Sequence, residues 1–118
     1  MEMRTEQLPD GVKVVILAGR MDNAGTQQID LQFTSLTATR KSLIAVDLSD
    51  VSFLASIGIR TLVSSARALA NRGGAMALVS PQPLVAATLE AAGIDTIIPI
   101  YADVNEANRE LQASAPDS

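Results

Sequence analysis

A serine followed two residues later by a glycine is the feature of this sequence that could do chemistry most directly. Ser56 lies in "FLASIGIR", residues 53–60, directly after an apolar run. A hydroxyl at such a junction could accept a phosphate, because the N-terminus of a following helix presents free amide groups and a positive dipole end to an anion. Arg60, four residues on, would lie one turn along the same face and could pair with that phosphate.

Two simpler interpretations of Ser56 stay open. Its hydroxyl could cap the following helix by accepting a hydrogen bond from a free amide, and position alone favours this role. A Ser-x-Gly segment could also form a nucleophile elbow, which requires a general base. The sequence contains no His, so His-dependent triads and His metal ligands are excluded. The remaining general bases are Lys13, Lys41 or a carboxylate, and none of them stands in a known catalytic arrangement. We therefore expect no catalytic residues, and nothing in the sequence indicates a cofactor.

Three other residues or pairs invite a site interpretation. Gly58 would weaken the first turn of a helix relative to Ala, which indicates a place where another backbone approaches closely. Asp22 closes "GRMD", residues 19–22, and is by itself an N-cap or turn residue. It could nevertheless lie at the same end of a sheet as Ser56, because both follow strands that run into helices. We interpret Asp47 and Asp50 as solvating a turn at a strand end, and expect no metal site.

Composition narrows the function classes further. A formal net charge of -4 and an aromatic content of 3% disfavour nucleic-acid binding, which needs basic surfaces and stacking rings. The absence of Cys excludes disulfides and thiolate metal sites. No apolar run approaches the length of a membrane span, and the first residues lack the pattern of a signal peptide. We expect a cytoplasmic domain with no membrane insertion.

Strand and helix patterns must position these residues. Apolar, β-branched runs at residues 12–19 and 42–49 predict buried strands. Helical spacing predicts helices over residues 24–40 and from Ser56 to the "RGG" at 72–74. The remaining chain predicts in turn a strand, a helix, a short edge strand and a last helix, at 75–79, 83–92, 96–101 and from 103.

This alternation predicts an α/β fold. "LPDGV" at residues 8–12 predicts a turn in an opening hairpin. We expect one domain over residues 1–112, with a mixed, largely parallel sheet of about five strands covered by about four helices. Residues 113–118, "ASAPDS", predict a flexible C-terminal tail.

The order of elements and three stretches resemble the STAS domain family, in its anti-sigma factor antagonist type. The stretches are "VVILAGRMD", "IAVDLSDVSFLASIGIRTLV" and "RGGAMALVSPQPLVAATLEAAGIDTIIPIYADVNEA", and together they cover nearly the whole chain. In that family a kinase that is also an anti-sigma factor phosphorylates the first hydroxyl residue of an Asp-Ser-Ser/Thr-Gly loop. The resemblance places that hydroxyl on Ser56, the family's glycine on Gly58 and its strand-ending aspartate on Asp22.

Two residues of the loop depart from the family pattern. Ala55 stands where the family often has Asp, and Ile57 stands where it often has a second Ser or Thr. The loop therefore offers one acceptor hydroxyl and one fewer negative charge. Arg60, where a small residue is frequent, alters the local charge further.

The resemblance implies a partner-switching regulator and not an enzyme. It would bind a serine kinase/anti-sigma factor through Ser56, Ile57, Gly58 and Arg60, and phosphorylation of Ser56 would release it. A phosphatase is a further candidate partner. The alternative, which Ala55 and Ile57 favour, is an unphosphorylated, constitutive scaffold subunit of a signalling assembly or of a membrane transporter complex. Neither interpretation fixes the oligomeric state.

Overall fold

A computed structural model describes residues 1–38 and 42–114. Its strands form one sheet in the order β1-β2-β3-β4-β5. β1 pairs antiparallel with β2, and the neighbouring pairs from β2 to β5 are parallel. The strands are β1 (Glu2–Gln7), β2 (Val12–Met21), β3 (Leu43–Leu54), β4 (Ala75–Val79) and β5 (Ile100–Tyr101). The predicted mixed, largely parallel sheet is confirmed.

Helices follow the parallel strands, as the alternation of patterns predicts. In the described part of the chain they are α1 (Asn23–Ala38), α2 (Ser56–Asn71), α3 (Pro83–Ala91) and α4 (Val104–Ser114), with a short 3-10 helix at Ile94–Thr96. The α/β fold class is therefore confirmed. α4 ends two residues beyond the expected domain boundary at residue 112, and residues 115–118 of the expected tail lie outside the described residues.

Three helices pack on one face of the sheet. Phe33 of α1, Leu62 of α2 and Leu89 of α3 are fully buried there against strand side chains that include Val46 and Leu78. Burying each such side chain contributes about 1.5–3 kcal/mol. This packing holds the first turns of α1, α2 and α3 at the edge of the sheet where their preceding strands end.

Among the described helices, α4 is the one that packs on the other face. Because successive strand residues point to opposite faces, Ala45 and Ala77 face α4 while their neighbours face the three-helix side. Ala107 and Leu111 of α4 pack against these small residues and against Val79. α4 is also tied to the first hairpin, because the Gln112 side-chain amide donates a hydrogen bond to the Asp10 carbonyl at 2.6 Å.

β3 is longer than the sequence predicts. It continues to Leu54, and its register against β2 shifts twice, so β3 carries extra residues beside β2. The first shift follows Asp47, whose carboxylate accepts a hydrogen bond from the Ser49 amide at 2.9 Å. Such bulges bend a strand without ending it. The prediction that Asp47 and Asp50 mark a turn at the strand end is therefore wrong, because both lie inside β3.

The predicted strand over residues 96–101 is shorter than expected. Residues 94–96 form the 3-10 helix, and β5 contains only Ile100–Tyr101. Pro99 directly precedes β5, where its missing N–H disturbs no ladder hydrogen bond. The edge position of this strand agrees with the prediction.

Candidate functional site

The candidate site lies at the carboxyl edge of the parallel strands. Met21, the last residue of β2, is paired with Leu54, the last residue of β3. The Ala55 amide then donates a hydrogen bond to the Met21 carbonyl at 3.0 Å. Asp22 directly follows the end of β2, and Ser56 follows the end of β3 after Ala55, so the structure brings both residues to one edge. Crevices outside the carboxyl ends of such strands are the usual binding regions of parallel α/β sheets.

Ser56 is the first residue of α2 and is exposed. The N-cap is Ala55, whose backbone is extended and whose side chain makes no capping hydrogen bond. The prediction that Ser56 caps the helix is therefore wrong. Within the described part of the chain, no hydrogen bond engages the Ser56 hydroxyl. An alanine N-cap leaves the amides of the first turn without a side-chain acceptor, so the N-terminus of α2 is open to an external anion.

Gly58 is buried beneath this first turn. A Cβ at Gly58 would lie 2.8 Å from both Leu54 Cδ1 and Met21 Cγ. The expectation that a backbone approaches Gly58 is wrong, because its close neighbours are side chains. Its lack of a side chain lets α2 begin directly on the ends of β2 and β3. Gly58 therefore determines how closely the first turn of α2, which contains Ser56 and Ile57, packs on the ends of the strands.

Asp22 is the N-cap of α1. Its Oδ1 accepts a hydrogen bond from the Gly25 amide at 2.8 Å, and its carbonyl accepts one from the Thr26 amide at 2.9 Å. Its Oδ2 lies 3.5 Å from Arg20 Nε. The Gly25 amide, together with the Arg20 guanidinium, holds the pKa of Asp22 below its usual value. Asp22 is therefore an engaged carboxylate beside the Ser56 loop.

Sequence reasoning missed three residues that build this edge. The Arg20 guanidinium carbon lies 4.5 Å from the centroid of the Phe53 ring, which is within cation–π distance. Gly25 lets the first turn of α1 close on β2, since a Cβ there would lie 1.9 Å from the Arg20 carbonyl oxygen. Asp22 itself is an N-cap signal, but it does not identify Gly25, because the backbone amide of any non-proline residue at that position could donate the same hydrogen bond. The Arg20–Phe53 contact depends on strand register, which has no local signal.

Arg60 is exposed one turn after Ser56. It lies at a groove of about 210 Å³ between α1 and α2, whose other lining residues include Asp30, Thr34 and Ser64. Among the described residues, no carboxylate forms an ion pair with Arg60. Its guanidinium is therefore available to a phosphate or to a partner. Ile57, the next residue of α2 after Ser56, is half-buried.

The described residues contain no group of three or more His, Cys, Asp and Glu side chains arranged to hold a metal ion. The helices in the described ranges include none with the length and apolar character needed to cross a membrane.

Known proteins resemble this chain over nearly its full length. The anti-sigma F factor antagonist of Paenibacillus polymyxa is 27% identical over 103 residues, which are 86% of this chain and 88% of that protein. The crystal structure of an anti-sigma factor antagonist from Mycobacterium paratuberculosis superposes with a TM-score of 0.84 and 24% identity, over 94% of this chain and 93% of that one.

A third relative has been solved in two chemical states. The anti-sigma factor antagonist SpoIIAA in its unphosphorylated form gives a TM-score of 0.78 at 20% identity, over 98% of this chain and 100% of that one. The phosphorylated form of the Bacillus cell fate determinant SpoIIAA gives 0.68 at 20% identity, over 92% and 98% of the two chains. At these identities the structural likeness establishes the fold.

A family model supplies the assignment. The model of the STAS domain matches residues 4–107, a range that includes the whole sheet except its outermost residues, and the carboxyl edge with Asp22 and Ser56. The resemblance seen in the sequence is confirmed, and the chain belongs to the STAS domain family.

Proposed function

We propose that this protein is an anti-sigma factor antagonist that switches partners at Ser56. In its unmodified form it binds a serine kinase that is also an anti-sigma factor. Phosphorylation of Ser56 releases that partner, and a phosphatase restores binding. The observation that carries the proposal is the exposed Ser56 hydroxyl, which has no hydrogen-bond partner in the described structure. Ser56 is the first residue of α2, and the N-cap before it is Ala55.

The names of the relatives support the general class. The matched protein of Paenibacillus polymyxa is an anti-sigma F factor antagonist. SpoIIAA, which shares the fold, has been solved in unphosphorylated and phosphorylated forms. These relatives support an antagonist of an anti-sigma factor, and the phosphorylation of Ser56 in this chain is our inference from the geometry.

The environment of Ser56 suits a phosphate. The group would bring about 1.5–2 negative charges to the positive end of the α2 dipole, where an anion is favoured. Ala55 places no competing carboxylate there, and Arg60 stands one turn further along with no ion-pair partner among the described residues. The phosphoserine would therefore be stabilised within its own chain. In the interface with the partner the same charge would be removed from water, and this desolvation costs about 3 kcal/mol or more.

The partner surface consists of Ser56, Ile57 and Arg60 on the exposed side of the first turns of α2. Gly58 is buried, so its part is to hold Ser56 and Ile57 at the right height. We propose no catalysis at this surface. Asp22, the carboxylate at the same edge, accepts a hydrogen bond from Gly25 and has a lowered pKa, so it is a poor general base.

Substitution at Ser56 tests the proposal. The partner is a serine-kinase anti-sigma factor of the same organism, and binding is measured by titration calorimetry without nucleotide. We expect Ser56→Ala to bind as tightly as the unmodified chain and Ser56→Asp to bind at least about a hundredfold more weakly. Asn71→Asp is the matched control, because Asn71 is also exposed on α2 but lies about three turns beyond Arg60. Equal binding by all four proteins would contradict the proposal.

A constitutive scaffold subunit is the second candidate. Ala55 and Ile57 favour it, since they remove the acidic residue and the second hydroxyl that are common in this loop of the family. A scaffold would bind its signalling or transporter partner equally in the Ser56→Ala and Ser56→Asp variants. Its phosphorylation state would not change with growth conditions, which intact-mass measurement of the native protein distinguishes from the switch.

A further inference from the structure

β1 leaves one side of the sheet open. In the described structure its other side pairs with β2, and no further strand lies beyond it. The side chains of β1 are exposed except for Met3, which is half-buried against the core. An open edge strand is a template for another strand. Charged side chains on an edge strand commonly oppose pairing with another strand. β1 carries charges of both signs, at Glu2, Arg4 and Glu6, so a second copy can be set with opposite charges facing each other.

The hairpin geometry determines which backbone groups of β1 face outward. The Leu8 amide donates a hydrogen bond to the Val12 carbonyl at 2.8 Å, so Leu8 and Val12 form a hydrogen-bonded pair. Further along the ladder, Glu6 lies opposite Val14 and Arg4 lies opposite Ile16. Hydrogen-bonded and non-hydrogen-bonded pairs alternate along an antiparallel ladder. Arg4 and Glu6 therefore direct their backbone groups to β2. Met3, Thr5 and Gln7 direct theirs to the open edge.

These outward groups restrict how two copies of β1 could pair. An antiparallel pair must set the outward residues Met3, Thr5 and Gln7 opposite one another. A two-fold axis at Arg4 would place the two Arg4 side chains together, and an axis at Glu6 would place the two Glu6 side chains together. An axis at Thr5 instead sets Arg4 of each copy opposite Glu6 of the other. An axis at Met3 would also avoid like charges, since it sets Glu2 opposite Arg4, but it would pair only the first residues of β1. Charge and the length of strand that is paired together select the axis at Thr5, since like charges directly opposite are destabilising.

The same arrangement covers an apolar surface. Leu31 of α1 is 81% exposed, the most exposed large hydrophobic residue in the described structure. It lines a groove of about 530 Å³ beside β1, together with Met3, Thr5 and Leu36. An axis perpendicular to the sheet at Thr5 keeps α1 of both copies on the same face. If α1 of each copy lies over β1 and β2, the two α1 helices would then be about 10 Å apart, which is close to the distance between packed helices.

We propose that two copies of this chain associate through β1, antiparallel about Thr5, into one continuous sheet. Arg4 of each copy pairs with Glu6 of the other, and the two Leu31 side chains cover the grooves beside β1. This dimer uses a different part of the molecule from Ser56, and it does not depend on the proposed function.

A charge exchange tests the dimer. Sedimentation equilibrium of the full chain, up to about 100 μM, measures the association constant. We expect Arg4→Glu and Glu6→Arg each to lower this constant by about tenfold or more, because each sets like charges opposite one another. The double variant carrying both substitutions restores opposite charges, and we expect its constant to return to within about threefold of the original. Thermal unfolding of all variants at low concentration checks that each one folds.

Two further variants separate this surface from others. Leu31→Lys should weaken the dimer, whereas Leu84→Lys, at an apolar residue of α3 that is 63% exposed, should leave it unchanged. Ser56→Asp should also leave it unchanged, which distinguishes failure of this proposal from failure of the switch. A chain that stays monomeric throughout the concentration range, or a double variant no better than the single ones, would overturn the proposal.

Discussion

At the residue scale, Gly25 and Gly58 hold the two neighbouring helix starts on the sheet for different reasons. The methyl group of an alanine at position 25 would meet the backbone carbonyl of Arg20, at 1.9 Å, whereas at position 58 it would meet side-chain atoms, Cδ1 of Leu54 and Cγ of Met21. Flexible side chains can shift, but the carbonyl at the end of β2 cannot move without disturbing the ladder.

We therefore expect Gly25→Ala to destabilise the fold more than Gly58→Ala. An added methyl group in a packed site costs about 1–3 kcal/mol, and alanine in a helix recovers about 1 kcal/mol relative to glycine. The free energy of unfolding in urea should fall by about 2 kcal/mol or more for Gly25→Ala and by about 1 kcal/mol for Gly58→Ala. Gln27→Ala, at an exposed position of α1, is the control. The reverse order would show that the edge is not built on Gly25.

Asp22 makes the stability of the fold dependent on pH. The Gly25 amide and the Arg20 guanidinium lower its pKa from the usual 3.8. A lowered pKa in the folded state gives stability that is present above the unfolded pKa and is lost as the pH falls through the folded pKa. The melting temperature of the native chain should fall more between pH ~5 and ~2 than that of Asp22→Asn, which should already be less stable at neutral pH. Parallel melting curves would contradict this assignment.

At the element scale, the exact end of β3 decides the role of Ser56. The apolar pattern identifies β3 and α2, and the N-cap preference of serine then suggests capping. β3 however continues through two register shifts to Leu54, so the chain turns at Ala55 and Ser56 is already helical. Bulges depend on pairing with β2, and no local pattern of β3 contains that information. By contrast, the hairpin turn at Gly11 and the N-cap role of Asp22 follow from local sequence. A similar cap begins α4, where the Asp103 carboxylate accepts a hydrogen bond from the Glu106 amide at 2.8 Å.

The contact between β5 and α4 gives a second pH effect. Burial, and then the negative charges of Glu110 and Glu106 on α4, raise the pKa of Tyr101 above 10.0. A raised pKa in the folded state gives stability that is present below the unfolded pKa and is lost as the pH rises through the folded pKa.

Tyr101 is the only tyrosine of the chain, so the absorbance of tyrosinate reports this group alone. We expect its folded-state titration to lie above that of the unfolded chain in urea. Glu110→Gln should lower the folded-state pKa part of the way, because burial remains, while Glu90→Gln on α3 should not change it. Coincident folded and unfolded titrations would show that α4 does not shield the ring.

At the scale of the whole molecule, the fold presents two surfaces with different chemistry. In the described structure the carboxyl edge has the N-termini of four helices, α1 to α4, and the free Ser56 hydroxyl, while the β1 edge has outward backbone groups and alternating charges. The alternation of strand and helix patterns in the sequence predicts the sheet to which both edges belong. The sequence pattern alone does not show that the charges of β1 complement those of a second copy. This depends on which backbone amides of β1 are hydrogen-bonded to β2 and which face outward.

The central claim is that a phosphate on Ser56 abolishes partner binding, and the most direct measurement combines phosphorylation with affinity. The chain is phosphorylated by the serine-kinase anti-sigma factor and ATP, the modified residue is mapped by fragment mass, and the purified forms are titrated against the same partner. We predict modification at Ser56 and an affinity at least about a hundredfold lower for the phosphorylated form. Modification elsewhere, or equal affinity of the two forms, would contradict the account.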